Sequence, residues 1–84
     1  MRHEEPTVPS LELGNTIRTL RVKLGMSLRE LANRTKMSSA HLSDVERGLR
    51  GTTKLDKIAR ALDVDPQLLR ALDARIDADL GAIS

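Results

Sequence analysis

The sequence predicts an all-α fold, a compact bundle of five short helices in one domain, and three observations lead there. Apolar residues recur three and four positions apart along most of the chain, the pattern of helices with one buried face. Residues that start or stop helices punctuate this pattern at Ser10, Gly25, Ser27, Ser38, Gly48 and Asp65. The apolar complement is wholly aliphatic: the 84 residues include no Phe, Trp or Tyr. Leu, Ile, Val, Met and Ala must therefore fill the interior alone, which suits a helical bundle better than a sandwich. A chain this small buries only about 60% of the surface it exposes when unfolded, enough for one core.

Residues 1–9, MRHEEPTVP, carry two prolines, mixed charge and little apolar content, and are expected to form a flexible N-terminal arm. The domain proper is expected over 10–72. Its first helix begins at Ser10, carries the stripe Leu13, Ile17, Leu20 and Leu24, leaves Arg18 and Lys23 outside, and stops at Gly25. The stretch from Ser27 to Gly48 reads as two helices joined by a tight turn. Ser27 and Glu30 have the S-x-x-E spacing of a capping box, with Met26 and Leu31 placed to staple the same start. The second helix runs from Leu28 to Thr35 and the third from Ser39 to Arg47, capped by Ser38. Leu31, Ala32, Leu42 and Val45 face the core and Met37 closes the turn. Thr53 is expected to cap a fourth helix with Asp56 at the box position, its inner face being Leu55, Ile58, Ala59 and Leu62. Lys54, Lys57 and Arg60 stay outside. Asp65 and Pro66 open a fifth helix, which carries Leu68, Leu69, Leu72, Ile76 and Leu80. That is more apolar length than one side of a small core needs. Two readings stand for residues 73–84: a helical extension through which Leu72, Ile76 and Leu80 form a dimer, or a fraying end.

Ala32, Leu42, Val45 and Glu46-Arg47-Gly48 lie at the spacings of a known motif, and the likeness continues on both sides from about Leu13 to about Leu69. The chain resembles the lambda-repressor-like (Cro/XRE) helix-turn-helix family of bacterial and phage DNA-binding proteins. The resemblance implies a compact five-helix lambda-repressor-like domain with the helix-turn-helix at helices 2 and 3. Three positions depart from the family pattern. Leu28 replaces the frequent glutamine at the start of helix 2, Lys36 replaces the usual turn glycine, and the connection after Gly48 is short and lacks proline.

The resemblance implies a division of labour among residues. The third helix enters the major groove, with Ser39, Ala40, Ser43 and Asp44 at the base-contacting positions. Serine serves several bases, alanine can touch a thymine methyl, and a carboxylate can accept from cytosine N4. Asp44 has three readings: it reads cytosine, a neighbouring cation holds it aside, or the helix does not read DNA. Arg29, Ser38, His41, Arg47, Arg50, Thr53 and Lys54 are the expected phosphate contacts, helped by backbone amides at the starts of helices 2 and 4. For His41, plain exposure is the alternative. The amphipathic pattern alone would leave Arg21 as a snorkelling surface residue, but the resemblance implies that this arginine, four residues before Gly25, pairs with Glu46 and fixes the crossing of their helices.

The charge pattern points the same way. Residues 15–60 hold 11 Lys or Arg against four acids, a balance of +7, although the chain as a whole carries +2. A basic face on such a motif suits a polyanion. The lack of aromatic rings argues against single-strand and RNA readers, which stack bases on them. Absence of cysteine excludes a disulfide scaffold and thiolate metal sites and agrees with a reducing cytoplasm. There is no apolar run of membrane length, no signal-peptide pattern, no catalytic constellation, and no expected metal or small-molecule cofactor. The expected function is that of a sequence-specific double-stranded DNA-binding transcriptional regulator, repressor-type, acting as a homodimer in the cytoplasm at the nucleoid. The alternative is a protein-interaction module on the same fold, such as an antitoxin or antirepressor.

Overall fold

Serines start the first three helices, each in the same way. The Oγ atoms of Ser10, Ser27 and Ser38 accept from the backbone N–H groups of Leu13, Glu30 and His41 at 3.1, 3.0 and 3.0 Å, satisfying donors that a helix N-terminus leaves free. The computed structural model describes residues 7–72. In it α1 spans Leu11–Lys23, α2 Leu28–Thr35, α3 Ser39–Glu46, α4 Leu55–Ala61 and α5 Pro66–Arg70, with no strand among the described residues. No described helix is long and apolar enough to cross a membrane.

The core is built from Leu13 and Ile17 of α1, Leu31 and Ala32 of α2, Leu42 and Val45 of α3, Leu55, Ile58 and Ala59 of α4, and Leu62 and Leu69 beyond it. Met26 and Met37 close its corners. Each fully buried Leu or Ile contributes roughly 1.5–3 kcal/mol relative to exposure. Helix α3 lies against α1 and α2, while α4 packs on α2 and α5. The α1–α3 crossing is close because of Gly14, where a Cβ would run into the backbone carbonyls of Val45 and Glu46. Thr35 is completely buried, and its hydroxyl donates back to the carbonyls of Leu31 and Ala32.

Several expectations are corrected. Leu24 caps the C-terminus of α1 and is 52% exposed rather than part of the stripe. Glu30 gives its carboxylate to Arg34 one turn on (2.8 Å). Thr53 does not cap α4: Lys54 holds that position without a side-chain cap, and the Thr52 hydroxyl accepts from the Lys54 N–H instead. Asp56, expected at the box position of that cap, goes to Arg70 of α5 (2.6 Å). The described α5 ends at Arg70 and is followed by a turn through Leu72. Ile76 and Leu80 lie outside the described residues.

The arm expected over 1–9 is pinned where it is described. Thr7 is buried, its N–H donates to the Thr52 carbonyl and its Oγ1 accepts from the Thr52 N–H, both at 2.8 Å. Gly51 makes room for it, since a Cβ there would strike the Thr7 carbonyl. Three residues later Ser10, besides capping α1, donates to the Leu72 carbonyl at 3.2 Å.

Candidate nucleic-acid interface

The turn between α2 and α3 decides which side of α3 faces outward. Lys36 adopts φ 58°, ψ 38°, the left-handed conformation that the family pattern meets with glycine, at a cost of roughly 1 kcal/mol for a residue with a Cβ. The chain then reverses through Met37, whose N–H returns to the Ala32 carbonyl, and Ser38 opens α3. Because Leu42 and Val45 are consumed by the core, Ser39 and Ala40 are left exposed and Ser43 and Asp44 half-buried on the other side.

An ion pair sets the tilt of α3. Arg21 donates through Nε and Nη2 to the two carboxylate oxygens of Glu46 at 2.8 and 3.0 Å, and through Nη1 to the Met26 carbonyl at 2.9 Å. One guanidinium therefore joins the end of α1, the entry to α2 and the end of α3. The side chains are only 12% and 5% exposed, so each charge depends on the other. The bond to Glu46 raises the Arg21 pKa more than burial lowers it. A raised folded-state value means that deprotonation of Arg21 costs stability only as pH rises through that value, and not below the unfolded one. The cation is thus constant far beyond neutrality.

Asp44 does not stand free on the outward face. Its Oδ1 accepts from Arg47 at 3.1 Å and its Oδ2 lies 4.0 Å from Arg50, so one carboxylate gathers two of the expected phosphate-binding arginines. His41 is half-buried, with Nε2 3.3 Å from the Gly51 carbonyl, a link between α3 and the loop after it rather than plain exposure. That loop is held from the other side by Thr7. Lys54 reaches back to the Lys36 carbonyl at 3.2 Å. Arg29 and Thr53 are exposed, as is Ser38, whose oxygen is engaged in its cap. Leu28 packs at the edge of the core and lines a groove of about 410 Å³ between α1 and α3 with Asn15, Arg18, Ser43 and Arg47. An apolar group there has no hydrogen bond with which to brace α3. Leu72 is half-buried against the core.

Sequence reasoning missed four residues that position this face: Thr7, Gly14, Gly51 and Thr52. Gly14 had a signal, since a glycine inside a helix costs roughly 0.5–1 kcal/mol relative to alanine and marks close backbone approach. Nothing local marks Thr7 as the partner of a residue 45 positions away.

Two capped helices joined by a left-handed turn, with one face of the second freed and the other locked into a helical core, define a helix-turn-helix domain. The family model described as a helix-turn-helix domain matches residues 12–72, and the chain belongs to that family, of Cro/XRE type. It is 43% identical over 58 residues to an uncharacterized HTH-type transcriptional regulator of Mycobacterium tuberculosis strain H37Rv, a match covering 67% of this chain and 41% of the relative. The chain thus spans less than half the length of the curated relatives it matches. Among solved structures it is similar to the restriction-modification controller protein C.AhdI from Aeromonas hydrophila. There the TM-score is 0.67 at 33% identity, covering 70% of this chain and 92% of that one. The biofilm master regulator SinR, solved in complex with DNA, gives a TM-score of 0.63 at 33% identity, with 68% and 95% covered. The clp gene regulator ClgR from Corynebacterium glutamicum gives 0.69 at 30% identity, with 86% and 79% covered.

Proposed function

We propose that the chain is a sequence-specific, double-stranded DNA-binding transcriptional regulator of repressor type that acts as a homodimer at the nucleoid. The observation that carries this reading is the freed face of α3, held by the Arg21–Glu46 pair, with the framing cations Arg47 and Arg50 at Asp44 and Lys54 at the turn before the helix, and Arg29 exposed on α2. Ser39, Ala40 and Ser43 meet base edges, with Asp44 beside them held by Arg47 and Arg50. The framing cations, with Ser38, His41 and Thr53, meet phosphates. SinR, similar over two thirds of this chain, was solved on DNA, which supports the same use of this face. Leu72, with Ile76 and Leu80 beyond the described residues, supplies the dimer contact, and a symmetric pair reads an inverted repeat about one helical turn apart.

Selection of sites from a random duplex pool, followed by a salt series on the winner, tests the reading. It predicts enrichment of an inverted repeat and a log K that falls with log salt by about 0.9 per phosphate contact. No enrichment and a shallow salt dependence would favour the protein-interaction module. The arginines around Asp44 support the second of its three readings: Asp44→Ala should tighten binding on all duplexes about equally. Loss of preference at one base pair would instead show that it reads cytosine.

A further inference from the structure

A second cationic surface lies outside the face assigned above. Between the end of α2 and the flank of α4 runs a shallow groove of about 390 Å³ lined by Arg34, Lys36, Lys57, Arg60 and Ala61. Its lining holds four cations and no carboxylate, and all four are exposed. Among the described residues Arg34 alone of the four has an ion-pair partner, Glu30 on its own helix. The acid of α4, Asp56, is turned to the opposite side, where Arg70 of α5 takes it at 2.6 Å. Charge is therefore sorted across α4, with its acid toward α5 and its bases toward α2.

The groove is continuous with the proposed DNA face. Lys54, Lys57 and Arg60 follow one another at three-residue steps, which places them along one flank of α4. Lys54, a proposed phosphate contact, joins this row to the α2–α3 turn through its bond to the Lys36 carbonyl. Lys54 thus links the proposed DNA face to the groove, where Lys57 and Arg60 follow it along α4. Three of the four cations, Lys36, Lys57 and Arg60, have no acid partner among the described residues, so the groove presents a positive potential that favours an anion.

We propose that this groove grips backbone phosphates of the duplex flanking the base pairs read by α3, so that the chain holds more DNA than its recognition helix covers. The inference rests on the DNA-binding reading above. It fits a regularly spaced polyanion, because Lys57 and Arg60 offer separate donors along a line rather than one closed pocket.

The test compares the intact chain with Lys57→Gln/Arg60→Gln, using Lys23→Gln on exposed α1 surface as the control. The probe is a duplex recovered from the selection, with about one helical turn of arbitrary sequence added on each side. The variant should keep its preference for the selected base pairs and its thermal midpoint. Its salt slope should become shallower by nearly 2 per chain, at about 0.9 per contact, and its affinity should fall roughly tenfold at physiological salt. Phosphate ethylation interference should lose, in the variant only, positions outside the selected base pairs. Specific binding with an unchanged slope and unchanged interference would overturn this proposal and leave the DNA-binding reading standing. A loss shared by Lys23→Gln would overturn it too, as a mere effect of net charge. Variant-specific loss of binding to a polyglutamate peptide, with the DNA slope intact, would give the groove to an acidic protein. Failure of the intact chain to bind any duplex would remove both readings together.

Discussion

The α1–α3 half of the molecule and the loop–α4 half are held by different means. In the first, every helix starts on a serine cap, and the crossing of α1 and α3 is fixed by Gly14 at one place and by the Arg21–Glu46 pair at another. In the second, α4 has no side-chain cap. The loop before it takes its shape from partners outside it: Thr7, 45 positions away, on Thr52 and His41 of α3 on Gly51. The half that carries the proposed base-reading helix is locked by its own residues, whereas the loop before α4, with the proposed phosphate contacts Arg50, Thr53 and Lys54, takes its order from Thr7 and from His41 of α3.

The comparison breaks most severely at the ion pair. Arg21→Ala or Glu46→Ala should each destabilise the fold by about 3 kcal/mol, because each strands a largely buried charge. The double variant should cost less than the sum of the two, and strict additivity would show that the pair is not coupled. With no aromatic residue to follow, far-ultraviolet circular dichroism in urea is the suitable probe. Gly14→Ala comes next. Alanine gains roughly 0.5–1 kcal/mol in a helix but must push α3 away, so a net loss of about 2 kcal/mol is expected. A more stable Gly14→Ala protein would mean that the two helices do not touch there.

Thr7→Val sharpens the contrast by acting on the second half alone. It removes the acceptor for the Thr52 N–H and should cost about 1–2 kcal/mol. Hydrogen exchange should quicken at Thr52 and Lys54 while amides of α1 to α3 keep their protection, and Thr7→Ser should restore the slow exchange. Uniform quickening would show one cooperative unit in place of two. The smallest effect belongs to Lys36→Gly. Relief of the left-handed strain, about 1 kcal/mol, is nearly offset by the entropy glycine loses, leaving the denaturation midpoint unchanged or slightly raised.

These differences also set how much was legible in the sequence. Ser27, Ser38, Gly25, Pro66 and the aliphatic spacing are local signals, read over a few residues, and they place all five helix starts to within a residue or two. The Arg21–Glu46 pair came from family resemblance, since its partners lie 25 positions apart. Thr53 was the wrong cap because the backbone of its neighbour Thr52 is tied to Thr7, a constraint that no window around α4 contains. Leu24 fits the periodic stripe but falls where α1 is already ending. Of the candidate interface, the placement of α3 was legible. The tie of Asp44 to Arg47 follows from i,i+3 helical spacing, but those of Asp44 to Arg50 and of His41 to Gly51 depend on loop geometry that no periodicity encodes.

The bond from Ser10 to the Leu72 carbonyl makes the described fold almost a closed ring. Chain segments entering at one end and leaving at the other pass within a hydrogen bond of each other, so a linker of a few residues would join them without disturbing a helix. A circularly permuted chain opened at the exposed turn around Asp63, with a linker that runs to Thr7 and spares its bonds to Thr52, would keep the helix packing described here. By the same geometry the domain is suited to insertion, as a unit, into a surface loop of another protein, because the host would need to part its own backbone by little more than one strand spacing.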